Sequence, residues 1–345
     1  MTSHKEVKCV IWDLDNTVWD GVLLESDSVT LKPGIKDMIS MLDKRGILHS
    51  IASKNDHVAA MEKLTHLGLE DYFLYPQINW NTKSHSVAEI QKSLNIGMDS
   101  LVFIDDQEFE MDEVKHVHPD IRCFNASEYQ SLLDMPCFNP KFITEDSALR
   151  RKMYQDDVKR KIAESEYIGP GEDFLASLNM KFTIYPAKES DLQRAEELTI
   201  RTNQLNATGK TYNYDELNAY RLDARHKMLV CELEDKYGSY GKIGLALVST
   251  EQTEWKIKMM LVSCRVVSRG VGTVLLNYII KEAKKANKIL LADFKDTGRN
   301  RMMYVNLRFA GFKELSRNEE GECVLMHDQA QTQDYPPYIN IHIHG

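Results

Sequence analysis

Hydrophobic and polar residues alternate with two different periods along the first 135 residues, and this pattern predicts strands followed by helices. The short apolar runs 7–12, 47–52 and 100–104 have the length and composition of buried strands. The segments 34–44 and 58–67 have the apolar spacing of helices, and each ends close to a glycine. This order predicts a parallel sheet with helices on both faces. Ligands of such sheets bind at the carboxyl ends of the strands.

A second set of elements follows a break in the pattern. Two prolines within 136–140 interrupt any helix there, and the charged run 146–166 predicts a connecting helix. Its charges indicate either a solvated face or a docking patch for an acidic partner. Later apolar runs predict strands at 181–185, 228–232, 243–249, 256–262, 289–293 and 323–326. Helices are predicted at 191–202, 270–286 and 301–309. The predicted first domain, linker, second domain and loose tail are residues 1–134, 135–178, 179–328 and 329–345.

The composition excludes several classes of protein. The 345 residues carry a net charge of −9, which argues against a nucleic-acid-binding protein. No apolar run reaches the ~20 residues that span a bilayer, and none follows Met1 as in a signal peptide. The six cysteines form no C-x-x-C pair, so neither a zinc site nor a redox motif is predicted. We expect a cytoplasmic protein with no membrane or nucleic-acid partner.

The motif D-L-D-N-T directly follows the first predicted strand. Phosphoryl transfer needs an in-line nucleophile, a general acid and neutralisation of charge. Asp13 can attack phosphorus and form an aspartyl-phosphate, and Asp15 can protonate the leaving oxygen and then activate water. The carbonyl of Leu14 is predicted to ligate Mg²⁺ while its side chain stays in the core. Asn16 and Thr17 are predicted to bind phosphate.

Further polar residues follow at positions that this chemistry requires. Ser53 lies at the end of the second strand, where its hydroxyl can hold a phosphate oxygen, and Lys83 can offset the negative charge of the phosphate. Asp105 and Asp106 follow the strand 100–104, and together with Asp13 they offer the hard oxygen ligands that Mg²⁺ prefers. We assign Asp105 as a direct ligand. Each residue alone is typical of a turn or a surface, but the ordered set indicates a phosphohydrolase.

The chain from residue 5 to 134 resembles the haloacid dehalogenase-like phosphatase superfamily. The resemblance implies the same roles for the carboxylates, the serine and the lysine, with Mg²⁺ as the cofactor. Only about sixteen residues separate Thr17 from Pro33, which leaves no room for a cap domain. A capless site is open, and an open site favours a large substrate or one that another protein or domain delivers.

The second domain contains a glycine-rich run, 266–273, at the start of a long predicted helix. Backbone N–H groups at a helix start can bind a pyrophosphate, although a tight turn also requires glycine. Arg269, Gly270 and Gly272 are the candidate binding residues of this run.

A later run, 306–312, strengthens the likeness of this domain to a known fold. Together with the order of strands, it makes the region 180–328 resemble the GCN5-related N-acetyltransferases. Val267 stands where that family has a Gln or Arg. This departure argues against acetyl-CoA and favours the shorter phosphopantetheine arm of a carrier protein. The predicted fold class is therefore α/β, a capless parallel sheet followed by an N-acetyltransferase-like α/β domain.

Cys264 lies at the end of a predicted strand, just before the glycine-rich run. Its thiol can attack an acyl phosphate, and Arg265 can favour the thiolate. The alternative is a buried cysteine of the core. Asn203, Gln204 and Asn206 follow the first helix of the domain, where they either cap the helix or hold an acyl group or the amides of pantetheine.

The chain as a whole resembles the FkbH-like glyceryl transferase/phosphatase family over residues 5–328. The runs 201–206 and 263–266 and the order of the two domains carry this likeness. The resemblance implies an enzyme of polyketide biosynthesis that takes 1,3-bisphosphoglycerate and removes phosphate at Asp13. It also loads a glyceryl unit through Cys264 onto the phosphopantetheine thiol of an acyl carrier protein, and the sequence leaves the order of the two steps open.

Two alternatives remain open at this stage. The second domain can be a module that only binds a carrier or an acyl-thioester partner of the phosphatase. It can also be a true CoA-dependent acetyltransferase.

Overall fold

The first unit of the chain, residues 1–158, is built around a parallel sheet. The computed structural model describes residues 6–25, 29–328 and 333–344. Strands of this unit are β1 (Cys9–Trp12), β2 (Trp19–Asp20), β3 (Thr30–Leu31), β4 (Leu48–Ser53), β5 (Gln77–Ile78), β6 (Leu101–Asp105) and β7 (Arg122–Asn125). Its helices are α1 (Ile35–Lys44), α2 (His57–Leu67), α3 (Lys83–Leu94), α4 (Glu108–Val117) and α5 (Glu145–Ala148). The sheet has the order β5-β4-β1-β6-β7, and all of its pairs are parallel.

The central strand β1 is completely buried, as a strand covered by helices on both faces must be. Its register pairs Trp12 with Ile51 of β4 and with Ile104 of β6. The next residue, Asp13, donates its backbone N–H to the carbonyl of Ile104 over 2.9 Å. The carboxyl ends of three neighbouring strands therefore meet at one edge of the sheet.

Helix capping fixes where the elements around this edge begin and end. Asp56 caps α2 by accepting the N–H of Ala59, and the helix ends at Gly68 in the left-handed conformation. Thr82 caps α3 by accepting the N–H of His85. This cap places the following residue, a lysine, in the first turn of α3.

The connection from β1 to α1 contains the hairpin β2–β3, in which Trp19 pairs with Leu31. The sequence analysis predicted that this connection is too short for a cap domain, and the structure has only the two-stranded hairpin there. Residues 26–28 within it lie outside the described part of the chain.

The segment predicted as a linker, 135–178, is divided between the two units. Helix α6 (Arg150–Glu166) contains the boundary between residues 158 and 159. On the side of the first unit, Arg150 donates to the carbonyl of Gly46 over 2.7 Å and Tyr154 donates to Leu94 over 3.2 Å. On the side of the second unit, Arg160 forms a fully buried ion pair with Asp235.

The second unit, residues 159–345, contains an eight-stranded mixed sheet. Its strands are β8 (Met180–Pro186), β9 (His226–Asp235), β10 (Gly238–Thr250), β11 (Glu254–Val262), β12 (Ile289–Lys295), β13 (Phe312–Arg317), β14 (Glu322–His327) and β15 (Ile339–Ile343). Its helices are α7 (Gly171–Ser177), α8 (Leu192–Arg201), α9 (Tyr214–Leu222), α10 (Val271–Lys285) and α11 (Arg301–Phe309). The strand order is β13-β14-β12-β11-β10-β9-β8-β15.

Strands β11 and β12 are parallel neighbours that pair over only four residues. Their last pair is Ile257 with Ala292, after which β11 continues to Val262 without β12 beside it. The chain segment 205–207 takes the vacated place: Ala207 donates to the carbonyl of Met260, and the N–H of Val262 donates to Leu205, both over 2.9 Å. The free edge of β11 is therefore covered by the protein's own backbone.

The prediction of a loose tail at 329–345 is wrong for the described part of that segment. Residues 339–343 form β15, which pairs in parallel with β8 from Ile339 opposite Met180 to Ile343 opposite Ile184. Alternating isoleucines in this segment were the signal of a strand. The tail residues 329–332 and 345 lie outside the described residues.

Among the described residues, no helix combines the length and the apolar character that crossing a bilayer requires.

We predict that His49 makes the first unit sensitive to acid. It is completely buried, accepts a hydrogen bond from Trp12 Nε1 at Nδ1 and donates from Nε2 to the carbonyl of Ile39. Burial lowers the pKa of His49 to about 3, although the bond to Ile39 opposes this. Below the pKa of ~6.5 in the unfolded chain, only the unfolded state binds the proton. This group therefore lowers the free energy of unfolding by up to ~1.4 kcal/mol per pH unit as the pH falls from ~6.5 towards 3.

Urea unfolding of the parent and of His49→Gln between pH 7 and pH 4 measures this contribution. The variant should be less stable at pH 7 but should lose stability less steeply with acid. The exposed His66→Gln variant is the control and should follow the parent. Equal slopes for the parent and His49→Gln would contradict the assignment.

Candidate functional site

The ammonium of Lys83 lies among carboxylates at the carboxyl edge of the parallel sheet. Its Nζ is 2.5 Å from Asp13 Oδ1, 3.1 Å from Asp105 Oδ2 and 3.2 Å from Glu110 Oε2. It also donates to the carbonyl of Ala52 over 2.9 Å. Burial alone would lower the pKa of Lys83, but the three carboxylates raise it above its ordinary value. The lysine therefore stays charged and holds the carboxylates in place.

Carboxylate oxygens of Asp13, Asp105 and Asp106 all lie within 4.8 Å of one another. Burial and then the charge of Asp13 raise the pKa of Asp105 to about 7, and the same two causes raise the pKa of Asp106. These shifts mean that the site has too little positive charge for its acids. A divalent cation would supply that charge, and three carboxylates are the hard ligands that Mg²⁺ prefers. These residues therefore fit the predicted metal.

The prediction that the Leu14 carbonyl ligates the metal is wrong. That oxygen accepts backbone hydrogen bonds from Thr17, Val18 and Trp19 at 3.1, 2.9 and 3.3 Å. A carbonyl has two lone pairs, so these bonds leave none for a cation. The Leu14 side chain does lie in the core, as the sequence predicted.

Asp15 is held by three donors. Its Oδ1 accepts from Trp19 Nε1 at 2.8 Å and from the N–H of Leu23 at 3.1 Å, and its Oδ2 accepts from Asn55 Nδ2 at 3.0 Å. Burial raises the pKa of Asp15, while the bonds from Trp19 and Leu23 oppose the rise. A raised pKa is what a general acid needs near neutral pH. The holding residues Trp19 and Asn55 were not found in the sequence analysis.

The predicted phosphate ligands occupy different environments. Ser53 is buried at the end of β4, directly after Ala52. Thr17 is completely buried, and its hydroxyl has no hydrogen-bond partner among the described residues. Asn16 has a φ of 54° and accepts the N–H of Gly21 with its side-chain oxygen, so its position is that of a turn residue.

Glu110 is a site residue that the sequence analysis missed. It bonds to Lys83 and also accepts from Lys54 Nζ over 2.7 Å. Burial would raise the pKa of Glu110, but the charges of Lys83 and Lys54 lower it below its ordinary range. The available signal was an acidic residue in the first turn of the helix that follows Asp105 and Asp106, because the start of that helix lies at the same edge of the sheet.

Cys264 begins a 3₁₀ turn, Cys264–Arg269, immediately after β11 and Ser263. The residue is half-buried, and within the described chain its sulfur has neither a hydrogen-bond partner nor an ion partner. Arg265 donates from Nη2 to the carbonyl of Tyr240 over 3.0 Å. Cys264 and Arg265 are thus neighbours in sequence, but the guanidinium of Arg265 already has a main-chain partner.

The glycine-rich run forms a tight turn. Gly270 has a φ of 74°, and a Cβ there would lie 2.9 Å from the hydroxyl of Tyr338. Arg269 is buried, with Nη1 3.2 Å from Glu164 Oε2. Gly272 lies in the first turn of α10 and has room for a methyl group, with Val262 3.8 Å away. The left-handed conformation and the nearby Tyr338 side chain therefore explain Gly270, and an ion pair explains Arg269.

The three predicted amides also differ. Asn203 and Gln204 are exposed. Asn206 is completely buried, and its side-chain oxygen accepts the N–H groups of Thr208 and Gly209 at 3.2 and 3.0 Å. Asn206 therefore shapes the turn that follows the segment 205–207, whereas the other two amides are free to meet a ligand.

Comparison with known proteins agrees with the first unit. A model of the haloacid dehalogenase-like hydrolases matches residues 19–117, fewer than a third of the chain. The match begins after Asp13 and Asp15, so the assignment of these two residues depends on the geometry above. No curated protein matches the chain.

Solved structures of two kinds are similar to the chain. The N-terminal part of BF1531 from Bacteroides fragilis, containing a phosphatase domain complexed with Mg, is 29% identical with a TM-score of 0.35, and the alignment covers 39% of this chain and 40% of that one. The ribosomal-protein-S18-alanine N-acetyltransferase from Escherichia coli is 18% identical with a TM-score of 0.34, over 42% of this chain and 90% of that one. A chimera of spermidine N-acetyltransferase from Vibrio cholerae and hSSAT is 15% identical with a TM-score of 0.35, over 43% and 96%.

The predicted fold class is confirmed. The chain is α/β: its first unit has a parallel sheet and contains the residues that match the haloacid dehalogenase-like model, and its second unit combines a mixed sheet with helices.

We predict that replacing Lys83 by Met makes folding depend on the metal. The change leaves three buried carboxylates without their cation, which costs about 3–5 kcal/mol of stability. Added Mg²⁺ should restore part of this loss, because it neutralises the same carboxylates. Chemical unfolding with Mg²⁺ and with EDTA measures both effects.

The control is Lys92→Met, an exposed lysine in the last turn of the same helix α3, which should change stability little. Our description of the cluster would fail if Lys83→Met unfolded like the parent in EDTA.

Proposed function

We propose that the first unit hydrolyses phosphomonoesters through an aspartyl-phosphate at Asp13, with Mg²⁺ as cofactor. The observation that carries the proposal is the cluster in which Lys83 joins Asp13 to Asp105 at the carboxyl edge of the sheet. Asp15 supports it, because it lies two residues away and has a raised pKa.

The reaction has two steps that balance in atoms and protons. Asp13 attacks phosphorus with a carboxylate oxygen, the bond to the ester oxygen breaks, and Asp15 gives its proton to the leaving alkoxide. Asp15, now a carboxylate, then takes a proton from water. The resulting hydroxide attacks phosphorus, the bond to Asp13 breaks, and inorganic phosphate leaves.

The charged residues around Asp13 divide the remaining tasks. Lys83 holds Asp13 and offsets part of the negative charge that develops on the phosphoryl group. Asp13, Asp105 and Asp106 would hold Mg²⁺, which supplies further positive charge to the phosphoryl oxygens when bound. Asn55 and Trp19 keep Asp15 in one orientation.

We predict that Asp13→Asn abolishes Mg²⁺-dependent hydrolysis of p-nitrophenyl phosphate, because an amide does not attack phosphorus. Asp15→Asn should lower kcat by about 10²–10⁴-fold, the usual range for losing a general acid. The matched control is Asp20→Asn, an exposed carboxylate on β2. Release of p-nitrophenol at the parent's rate by Asp13→Asn would remove this residue from the mechanism.

We further propose that the natural reaction of the whole chain is the transfer of a glyceryl unit from 1,3-bisphosphoglycerate to an acyl carrier protein. The Cys264 thiolate attacks the acyl carbon, the carbon–oxygen bond to the carboxyl phosphate breaks, and phosphate leaves with the electron pair. The first unit then removes the remaining phosphate. Finally the phosphopantetheine thiolate attacks the thioester, and the Cys264 thiolate leaves. The half-buried, unbonded sulfur after β11 supports the proposal.

A second candidate is a phosphatase whose second unit only binds a carrier protein or an acyl thioester. Two observations favour it. The segment 205–207 covers the edge of β11 that leads to Cys264, and within the described chain no base bonds to the sulfur. The exposed amides of Asn203 and Gln204 remain free to meet a partner under either candidate.

Intact-protein mass spectrometry after incubation with 1,3-bisphosphoglycerate separates the two candidates. We predict an acyl adduct on the parent protein and none on Cys264→Ala, because alanine has no sulfur to form the thioester. The control is Cys137→Ala, another half-buried cysteine outside the site. An adduct that persists in Cys264→Ala would leave the binding module as the better candidate.

A further inference from the structure

A cavity of about 820 Å³ opens in the second unit, beside the place where β11 and β12 separate. The last pair between these strands is Ile257 with Ala292, and the cavity is lined by the next residue of each strand, Lys258 and Asp293. None of the candidate site residues of either unit lines it. The cavity is therefore a separate feature of the fold.

The backbone of β11 is irregular at the same point. Opposite β10, Ile257 pairs with Val248 and Met259 pairs with Leu247, which leaves Lys258 as an extra residue without a partner. Such a bulge re-aims the side chains around it, and bulges are common beside binding sites. Here the bulge places a half-buried lysine in the cavity wall.

The charges of the cavity are unbalanced in favour of cations. Its wall contains four cationic residues, Lys210, Lys258, Lys295 and Arg317, against two carboxylates, Asp293 and Glu322. The rest of the chain has the opposite sign, since the net charge is −9.

Both carboxylates of the cavity wall already have a cationic partner. Lys295 pairs with Glu322 at 3.1 Å, Arg317 pairs with Glu314 at 2.7 Å, and Asp293 pairs with Lys256 at 2.8 Å. Of the four cations of the wall, Lys210 and Lys258 are therefore the two that have no ion pair among the described residues. No described residue forms a hydrogen bond or an ion pair with the Lys258 ammonium. A half-buried ammonium without a counterion favours an anionic ligand.

Neutral donors of the cavity wall add to the attraction for an anion. Tyr212 is buried there, and burial raises its pKa to about 12, so its hydroxyl keeps its proton at neutral pH. Thr208, Thr297 and Ser316 contribute further hydroxyl groups. Hydroxyl donors around a lysine suit a group with several acceptor oxygens, as in phosphate.

We propose that this cavity binds a small phosphorylated molecule, with Lys258 as the main contact of the phosphate group. The site does not depend on hydrolysis at Asp13. It also lies apart from Cys264, because the four residue-to-residue steps from Lys258 to Val262 alone span about 13 Å of extended strand. If the proposed glyceryl transfer is correct, the cavity is a second place at which the chain meets a phosphorylated three-carbon acid.

Binding of 3-phosphoglycerate to the full chain in EDTA, measured by calorimetry, tests the proposal. We expect Lys258→Met to weaken binding by about tenfold or more, because it removes a charge-assisted hydrogen bond. Lys210→Met, which changes an exposed side chain, should weaken it less. The matched control is Lys181→Met, an exposed lysine of the same sheet outside the cavity, which should bind like the parent.

Hydrogen exchange of the same samples locates the ligand. The proposal predicts protection of peptides that contain residues 208–212 and 256–262 in the parent and its loss in Lys258→Met. Inorganic phosphate should compete with 3-phosphoglycerate, and glycerate should not. Protection confined to the first unit, equal affinity of the parent and Lys258→Met, or equal binding of glycerate would each overturn the proposal.

Failure of this test leaves the phosphatase proposal intact, because that proposal is measured separately by Mg²⁺-dependent release of p-nitrophenol. Failure of the phosphatase test likewise leaves binding in the second unit unaffected.

Discussion

The ion cluster around Lys83 is the constraint on which the first unit depends. One ammonium bonds to three carboxylates and a main-chain carbonyl that come from the residue after β1 and from β4, β6 and α4. A buried charge in a protein must be paired, so the ends of these strands and the start of α4 must lie at the same place. The site is therefore built from the same contacts that fix the ends of the strands. Stability and the proposed chemistry are coupled there, since any change that loosens the cluster also displaces Asp13, the proposed nucleophile.

The second unit has a different constraint, the short pairing between β11 and β12. A sheet that opens between two parallel strands leaves N–H and C=O groups that need partners. The segment 205–207 satisfies part of the exposed edge, and the bulge at Lys258 marks the point of separation. The cavity exists because the segment 205–207 fills only part of the gap between β11 and β12. The candidate site of the first unit therefore lies where strand ends converge, whereas the cavity of the second unit lies where two strands diverge.

The sequence predicted the central strands of both sheets, because apolar runs bounded by glycine and polar residues are a strong signal. It missed the outer strands β5, β7, β13 and β15, which are short or carry many polar residues. It missed α3, since the buried face of that helix contains Lys83, Ser84 and Ser86 and therefore looks polar. The nucleophile, the lysine and the aspartates were predictable from their order on alternating strands. The sequence could not predict that the Leu14 carbonyl is unavailable to a metal, because its oxygen accepts hydrogen bonds in a turn that only the folded backbone reveals.

Strand β15 has a consequence for the integrity of the sheet. Because it lies outside β8, it covers the N–H and C=O groups that this long strand would otherwise present to solvent. Unprotected sheet edges pair readily with other chains and lead to aggregation. In the described sheet β15 is itself the outer strand, so the segment 339–343 replaces the seven-residue edge of β8 by a shorter edge of five residues. Its loss would expose the longer strand β8 as the new edge.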